Sequence, residues 1–251
     1  MLCVCKSFKN NVDCSIYTIL WKTCNFRYHF VICELIEAAH GAGSLVAVDN
    51  TTATPLGQKP LELGADFSVS SDTKALTGHT DLILGHVATR DPKWAEGLKA
   101  FRTQQGAIPG PMETWLAHRS LSTLQLRLSR QSENALEIAK FLARKIGNKA
   151  VRYPGLPEDP AFEVASKQMK YFGPVVSFVL ENKDQANRFL EACKLVGSAT
   201  SFGSVHTTAE RRARWGGDNI PQGFIRLSAG CEGIQDLLED IGQALIRALD
   251  Q

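Results

Sequence analysis

The stretch that decides the fold is SLVAVDN at 44–50, an apolar run that closes on polar residues. Such a run is typical of a buried parallel strand whose carboxyl end carries function. It follows ELIEAAHGAG at 34–43, which predicts a helix ended by glycine. FSVSSDTK at 67–74 and DLILGHVAT at 81–89 predict two further strands. Helices that alternate with apolar strands favour an α/β fold with a mostly parallel sheet.

Helical periodicity continues on the carboxyl side of these strands. We expect a short helix and turn at PLELGAD (60–66), a helix over 92–105, and a helical tract over 111–145 that breaks near Ser120. YPGLPEDP at 153–160 is rich in proline and glycine and marks a boundary. The sequence therefore predicts an atypical segment at 1–33, a large domain at 34–150 and a smaller domain at 151–251.

The smaller domain also has α/β character. PVVSFVLE (174–181) and GFIRLSAG (223–230) predict strands, and KDQANRFLEACK (183–194) predicts a helix. The last helix has an apolar stripe at helical spacing, which indicates a core-facing side. The stripe consists of Ile234, Leu237, Leu238, Ile241, Leu245 and Leu249.

Composition excludes several classes of protein. The chain has 251 residues, 44% of them hydrophobic, and a formal net charge of +2. This balance gives no electrostatic case for nucleic acid or a membrane surface, and we interpret the run Arg211, Arg212 and Arg214 as a solvated helix face. No apolar stretch is long enough to span a membrane, and the apolar segment 14–33 lacks a cleavage signal, so we expect no secretory leader.

Cysteine usage points to a reducing compartment. Five of the seven cysteines lie within residues 1–33, which leaves only Cys193 and Cys231 in the rest of the chain. We therefore expect a cytoplasmic protein without structural disulfides. The early cysteines lack the repeated CxxC spacing of a zinc site, so we predict no metal there.

Two polar clusters, each at the end of a predicted strand, carry the chemistry. Lys74 follows one strand in the loop at the ligand edge of the sheet, where an amine held in place is suited to form a Schiff base. A pyridoxal ring also needs an acidic partner for its pyridine nitrogen, and Asp49 ends the neighbouring strand. Ser71 and Thr73 offer hydroxyl donors to a phosphate. The residues thus indicate a site for pyridoxal 5'-phosphate (PLP).

Each of these residues also has an ordinary structural interpretation. A lone lysine is usually solvated, Asp followed by Asn often forms a turn, and loop hydroxyls mostly bond their own backbone. A rival site would use His79, Asp81, Asp49 and His86 as metal ligands, although H-x-D spacing has little specificity. A Ser–His–Asp hydrolase lacks its G-x-S-x-G motif here.

The order of several segments resembles the cystathionine γ-synthase/γ-lyase family, the Cys/Met-metabolism branch of the PLP-dependent enzymes. The matching segments run colinearly from about Glu34 to the carboxyl terminus. They are VAVDNTTATPLGQKPLELGAD (46–66), SVSSDTKALTGHTDLILGHV (68–87), RSLSTLQLRLSRQSENALEIAKFL (119–142), VRYPGLPEDPAFEVASKQM (151–169), GPVVSFVLE (173–181) and FIRLSAGCEGIQDLLEDIGQAL (224–245).

This resemblance implies a fold of the type I aminotransferase class, with a partial PLP-binding large domain, and a role for each matching residue. Lys74 stands where the family forms its Schiff base with PLP, and Asp49 where the pyridine nitrogen is bound. Ser71 and Thr73 stand at the phosphate contacts. Arg226 and Ser201 would bind the substrate, since Arg226 stands where the α-carboxylate is held and Ser201 stands in the strand that faces substrate and lysine.

The implied activity is that of a PLP-dependent carbon–sulfur lyase or transferase of transsulfuration. A cystathionine γ-lyase-like reaction would convert cystathionine to cysteine, 2-oxobutanoate and ammonia, with Lys74 as anchor and then general base. Cystathionine γ-synthase and O-acylhomoserine sulfhydrylase are alternatives within the family. A catalytically silent PLP-binding fold and a metal-dependent hydrolase are alternatives of other classes.

The chain departs from the family pattern in several places. Family members are longer and begin with a region that supplies tyrosines and backbone donors to the site, so we expect an N-terminally truncated member. Residues 1–33 do not resemble the family. Thr52, Ala75 and His206 occupy positions where an aromatic residue, tyrosine and glutamate are frequent. The resemblance also implies a homo-oligomer, a tetramer in the family.

Overall fold

The computed structural model describes residues 31–216 and 220–250, together with the backbone of 2–5 and 16–20. The strands are β1 Leu2–Cys5, β2 Ile16–Leu20, β3 Leu45–Asp49, β4 Phe67–Ser71, β5 Gly85–Ala88, β6 Val151–Arg152, β7 Val175–Val179, β8 Gly197–Ser198, β9 Thr208–Arg211 and β10 Phe224–Ser228. The helices are α1 Ile32–Gly41, α2 Thr54–Gly57, α3 Pro92–Gln105, α4 Pro111–Leu121, α5 Leu124–Ile146, α6 Phe162–Gln168, α7 Lys183–Ala192 and α8 Ile234–Leu249, with 3₁₀ turns at Asn148–Ala150 and Arg212–Trp215.

The first sheet has the strand order β1-β2-β3-β4-β5 within the described ranges. The central pairs β2–β3 and β3–β4 are parallel, as the α/β pattern predicts, whereas β1–β2 and β4–β5 are antiparallel. Strand β5 runs antiparallel because the loop 72–84 contains no helix, and a parallel return needs a crossover connection. The sheet is therefore mixed.

The α/β fold is confirmed, and most helices lie where the sequence predicts them. Helix α3 has the predicted bounds, and the long helical tract divides into α4 and α5 just beyond Ser120. The helix predicted at 60–66 is wrong. That segment forms turns that end at Gly64, whose φ of 100° is incompatible with a right-handed helix, and the short helix α2 precedes it. Strands β1 and β2 lie in the atypical segment 1–33, where the sequence predicts no element.

The second sheet has the order β6-β7-β10-β9-β8 and is antiparallel except for β8–β9. One face packs against α5, α7 and α8. Phe178 and Phe189 meet there edge to face, with ring centroids 5.4 Å apart, a contact worth about 1 kcal/mol beyond burial. Helix α5 contributes Ile138 and Leu142 to this core, so it joins the two predicted domains.

The apolar stripe of α8 is core, with one exception. Leu237, Ile241 and Leu245 are buried, and Ile234 and Leu238 pack against them. Leu249 is 44% exposed, and it is the last residue of the helix. No helix in the described part of the chain is both long and apolar enough to cross a membrane.

Candidate active site

The carboxyl ends of β3 and β4 are tied together and form one edge of the first sheet. The backbone N–H of Asn50 donates to the carbonyl of Val69 at 2.7 Å, and that of Ser71 donates to the Thr51 hydroxyl at 2.9 Å. Asp49 ends β3, and its carboxylate accepts a hydrogen bond from the Thr51 N–H at 2.9 Å. The sheet therefore places Asp49 and Ser71 at the same edge, where ligands of parallel sheets bind.

Lys74 lies in a tight turn that follows β4. The backbone N–H of Lys74 donates to the Ser71 carbonyl at 3.1 Å, and the Gly78 N–H donates to the Lys74 carbonyl at 2.8 Å. Asp72 is buried at the start of this turn, with one carboxylate oxygen 2.6 Å from Nδ1 of His86 on β5. This hydrogen bond raises the pKa of His86 against the opposing effect of burial. No local pattern in the sequence predicts this pair.

Arg127 of α5 holds the same turn from the other side. Its guanidinium donates to the carbonyls of Ala75, Leu76 and Ser120 at 2.9, 3.0 and 2.9 Å. A Cβ atom at Gly78 would lie 2.2 Å from Nη1 of Arg127, so glycine is needed for this approach. A buried arginine that satisfies three carbonyls fixes the backbone that carries Lys74.

The loop 199–207, between β8 and β9, closes over the lysine turn. The Val205 N–H donates to the Gly78 carbonyl at 2.9 Å. Gly203 has a φ of 82°, and a Cβ atom there would lie 2.5 Å from the Ala75 nitrogen. The resemblance implied a strand at Ser201, but this residue lies in the loop because the left-handed backbone at Gly203 interrupts any extended run.

This contact brings the amine of Lys74 to the hydroxyl of Ser201. Lys74 Nζ donates to Ser201 Oγ at 2.9 Å and lies 5.4 Å from the ring centroid of Phe202. Burial lowers the pKa of Lys74, and the positive charge of Arg226 lowers it further. A lysine with a lowered pKa has a larger neutral fraction, which is the form that attacks a carbonyl carbon.

Arg226 also lies against the ring of Phe202. Its Cζ atom is 5.1 Å from the Phe202 centroid, and its Nη2 donates to the Thr200 carbonyl and to Glu210. Sequence analysis missed both Phe202 and Glu210, because only the tertiary structure joins them to Arg226. The site thus has an amine and a guanidinium on one ring, so a guanidinium that can bind a carboxylate lies near an amine that can act as a nucleophile or base.

The basic run is not a solvated helix face, so that interpretation is wrong. Arg211 is buried on β9, where its Nε donates to the Asn187 side chain at 3.0 Å. Arg212 and Arg214 lie in a 3₁₀ turn, with nitrogens 3.1 and 3.8 Å from the Glu210 carboxylate. The buried charge of Glu210 draws Arg212 inward, whereas Arg214 stays exposed, and no local pattern reveals this difference.

Ser71 and Thr73, the predicted phosphate contacts, differ in whether their hydroxyl groups are already hydrogen-bonded within the protein. The hydroxyl of Ser71 makes no hydrogen bond within the described residues, so it is available to a ligand. The Thr73 hydroxyl donates to the Leu84 carbonyl at 3.2 Å and accepts from the Leu84 N–H at 3.0 Å. Thr73 therefore closes the loop to β5, and its proton is engaged within the protein.

The rival metal site is not assembled. His79 Nδ1 lies 2.6 Å from the Thr77 carbonyl, and His86 pairs with Asp72. Over 31–216 and 220–250, no three His, Cys, Asp or Glu side chains converge as metal ligands would. His206 is exposed, and its backbone N–H donates to the Ser204 hydroxyl at 3.2 Å.

The described residues fit PLP. Lys74 supplies a half-buried amine with a lowered pKa, and Asp49 supplies a carboxylate at the adjacent strand end. Ser71 supplies an unengaged hydroxyl for a phosphate oxygen. An amine for the aldehyde, a carboxylate for the ring nitrogen and a hydroxyl for the phosphate are the three functions that this cofactor requires.

Comparison with protein families and curated sequences gives a consistent result. The family model of the Cys/Met metabolism PLP-dependent enzymes matches residues 24–246, so the similarity begins earlier than Glu34, where we expected it. A putative cystathionine gamma-lyase of Streptomyces coelicolor is 59% identical over 87% of this chain and 55% of its own length. A cystathionine beta-lyase of Coxiella burnetii is 39% identical over 85% of this chain and 58% of its own length.

Solved structures agree. CalE6 from Micromonospora echinospora, described as a methionine gamma lyase, has a TM-score of 0.84 and 38% identity over 92% of this chain and 63% of its own. Cystathionine gamma synthase from Xanthomonas oryzae pv. oryzae has a TM-score of 0.87 and 32% identity over 93% and 63%. The chain thus spans between 55% and 58% of the length of the curated relatives given above.

Proposed function

Because the chain belongs to the Cys/Met metabolism PLP-dependent enzymes, we propose that it carries the lysine-bearing part of an enzyme acting on a carbon–sulfur bond of a sulfur amino acid. One observation carries this proposal. The half-buried amine of Lys74 and the guanidinium of Arg226 lie against the same ring of Phe202. Arg226 is then placed to bind the α-carboxylate of an amino acid, while Lys74, whose pKa is lowered, supplies a neutral amine close by.

The residues divide the work as follows. Arg226 binds the α-carboxylate of the substrate, and Ser201 accepts a hydrogen bond from Lys74 and so orients its amine. Lys74 first anchors the cofactor and then moves a proton at the substrate Cα. Asp49 keeps a proton on the pyridine nitrogen, and Ser71 contacts the phosphate, with Thr73 beside it.

PLP, when bound, supplies an electron sink for negative charge at the substrate Cα. The lowered pKa of Lys74 suits both of its roles, since the free amine must be neutral to attack a carbonyl and to accept a proton. The turn that carries Lys74 is held by Arg127 and covered by the loop 199–207, so the amine returns to the same place after each proton transfer.

Within this chemistry we favour a cystathionine γ-lyase-like reaction. The 59% identical relative bears that name, although relatives near 39% identity include a cystathionine beta-lyase and a cystathionine gamma-synthase. The products distinguish the reactions, because γ-elimination from cystathionine yields 2-oxobutanoate and β-elimination yields pyruvate. Assembly into a homo-oligomer stays a prediction.

A silent PLP-binding fold is the second candidate, because the chain spans little more than half of the length of its relatives. Both candidates predict that PLP attaches to Lys74. After borohydride reduction, one tryptic peptide should carry the cofactor mass at Lys74, and Lys74→Ala should abolish it. The exposed Lys149 gives the matched control, since Lys149→Ala should leave the label in place.

The two candidates differ in turnover. A labelled chain that releases 2-oxobutanoate from cystathionine is the proposed enzyme, and a labelled chain that releases no keto acid is the silent fold. Label on another lysine, or no label, would refute the assignment of Lys74 and both candidates with it.

A further inference from the structure

A fully buried carboxylate lies behind the guanidinium of Arg226. Glu210 on β9 is directly opposite Arg226 on β10 in the antiparallel register, and Glu210 has no solvent exposure. Nη2 of Arg226 donates both to Oε1 of Glu210 and to the carbonyl of Thr200. A single nitrogen that donates to two fixed acceptors cannot rotate without breaking one of these hydrogen bonds.

Two further hydrogen-bond donors and one more cation complete the surroundings of Glu210. Arg212 Nη1 donates to Oε1 at 3.1 Å, Trp215 Nε1 donates to Oε2 at 3.1 Å, and Arg214 Nη2 lies 3.8 Å from Oε2. Burying an ionised carboxylate is costly unless it is paired and hydrogen-bonded, and these contacts meet that condition. Glu210 is thus a fixed point rather than a mobile surface charge.

The contacts leave one part of the Arg226 guanidinium available. Phe202 covers one face of the group, and Nη2 is used by Glu210 and Thr200. Nη1 and Nε make no hydrogen bond to any residue of 31–216 or 220–250, and neither is sealed off from solvent. A carboxylate ligand would therefore meet N–H groups whose direction is set by Glu210.

The charges explain why several arginines surround one glutamate. A carboxylate beside Arg226 would by itself repel the carboxylate of a substrate. Arg212 and Arg214 offset that repulsion, because three guanidinium groups facing one carboxylate leave the cluster with a positive charge. Glu210 can then hold Arg226 while the cluster as a whole still attracts an anion.

We infer that Glu210 is a positioning residue that orients Arg226 for the α-carboxylate of the substrate. This inference rests on the proposed function for the role of Arg226, and it adds a residue that does not itself touch the substrate. The inference predicts that removing a negative charge weakens the binding of an anion. If Glu210 acted only through its charge, its removal would strengthen binding of an anion, whereas the loss of a positioning contact weakens binding.

The decisive variant is Glu210→Gln, which keeps the shape of the side chain and removes its charge. We expect the PLP-loaded variant to bind L-alanine roughly tenfold more weakly, because the hydrogen bond that holds Arg226 is then made to a neutral amide and is weaker than one made to a carboxylate. Binding of L-alaninamide, which lacks the carboxylate, should change little. Binding of L-alanine and of L-alaninamide is measured from the change in PLP absorbance of the PLP-loaded chain. L-alanine binding that is unchanged or tighter would overturn the inference.

A second measurement does not depend on the cofactor. Phenylglyoxal modifies accessible guanidinium groups, and peptide mass spectrometry reports the rate at each arginine. In the PLP-free chain, Glu210→Gln should raise the modification rate of Arg226 severalfold and leave that of the exposed Arg247 unchanged. An unchanged rate at Arg226 would also contradict the inference. The phenylglyoxal measurement remains valid even if the wild-type chain fails to attach PLP at Lys74. That failure would refute the proposed function separately.

Removing the charge of Glu210 leaves three arginines near one another, so the variant is checked by circular dichroism and thermal unfolding. If it does not fold, the double variant Glu210→Gln/Arg212→Gln relieves part of the repulsion, and the same two outcomes apply to it. Arg212→Gln alone is the matched control, because it retains the contact between Glu210 and Arg226. We expect its affinity for L-alanine to fall no more than about twofold, as for a partly exposed ion pair.

Discussion

The amine of Lys74 lies 2.9 Å from the hydroxyl of Ser201, although 127 positions separate the two residues along the chain. Lys74 follows a strand of the first sheet, and Ser201 precedes a strand of the second. The candidate active site therefore lies where the two sheets meet, and changes on either side should alter the reactivity of the amine.

The ionisation of Lys74 should depend on Arg226. Burial and then the charge of Arg226 lower the pKa of Lys74, so Arg226→Gln should raise that pKa by removing the repulsion. Acetic anhydride labelling of the PLP-free chain across pH, read by peptide mass spectrometry, should show the Lys74 midpoint moving to higher pH. The exposed Lys149 is the internal reference. A midpoint that stayed in place or moved to lower pH would contradict the prediction.

Gly203→Ala should be costly because of a specific close approach. The new Cβ would lie 2.5 Å from the Ala75 nitrogen, on a backbone with a φ of 82°. Gly106→Ala is the matched control, since its φ is 69° and nothing lies within 4 Å of the added atom. Both variants incur left-handed strain of about 1–2 kcal/mol, but only Gly203→Ala adds overpacking of about 1–3 kcal/mol.

Urea unfolding measures this difference. The free energy of unfolding should fall further in Gly203→Ala than in Gly106→Ala, and the rate of Lys74 labelling should change only in Gly203→Ala. Equal losses of stability would show that the loop 199–207 does not press on the lysine turn.

Arg127→Met should loosen the turn that carries Lys74. The substitution leaves the carbonyls of Ala75 and Leu76 without their donor, whereas the Ser120 carbonyl keeps its hydrogen bonds from Thr123; each unsatisfied buried group costs about 1–3 kcal/mol. We expect a loss of at least about 2 kcal/mol in the free energy of unfolding, together with faster hydrogen exchange over 72–78. The exposed Arg144 lies on the same helix, and Arg144→Met should change stability by less than about 0.5 kcal/mol.

Asp240 should make the second sheet's core sensitive to acid. Its carboxylate accepts hydrogen bonds from the backbone of Lys194, Leu195 and Val196 at 2.8, 2.8 and 3.0 Å. Burial acts to raise the pKa of Asp240, but these hydrogen bonds, with one from Gln243, outweigh it and lower the pKa. Asp240→Asn should reduce the free energy of unfolding at neutral pH by about 1–3 kcal/mol.

The sign of the pH dependence follows from the lowered pKa. The carboxylate's contribution is present above the unfolded pKa of about 3.9 and is lost as pH falls through the folded value. The difference between wild type and Asp240→Asn, measured by urea unfolding, should therefore shrink in acid. Asp250→Asn, at an exposed position, should show no such difference at any pH. If the difference in the free energy of unfolding between wild type and Asp240→Asn stayed constant across pH, the Asp240 carboxylate would not be the source of the acid sensitivity.

Local patterns along the sequence were sufficient for much of the fold. The apolar run of β3, the polar end at Asp49 and the period of α3, α4 and α5 identified these elements, because burial and helical geometry leave their period in the sequence. The same patterns failed where chain direction was decided by a loop, as at β5, or by one glycine, as at Gly64. The roles of Lys74, Asp49, Ser71 and Thr73 rest on residue type and position as well as on the resemblance, those of Ser201 and Arg226 on the resemblance alone, and all of them stay proposals.

The sequence by itself determined the family, the strand ends that carry Asp49 and Lys74, and the amphipathic helices. These depend on neighbours a few residues apart, where side-chain period and turn chemistry act. Only the tertiary structure decided that Phe202 lies against both Lys74 and Arg226, and that Glu210 draws Arg212 inward. Such contacts depend on long-range packing and on the cost of burying charge, and neither leaves a period in the chain.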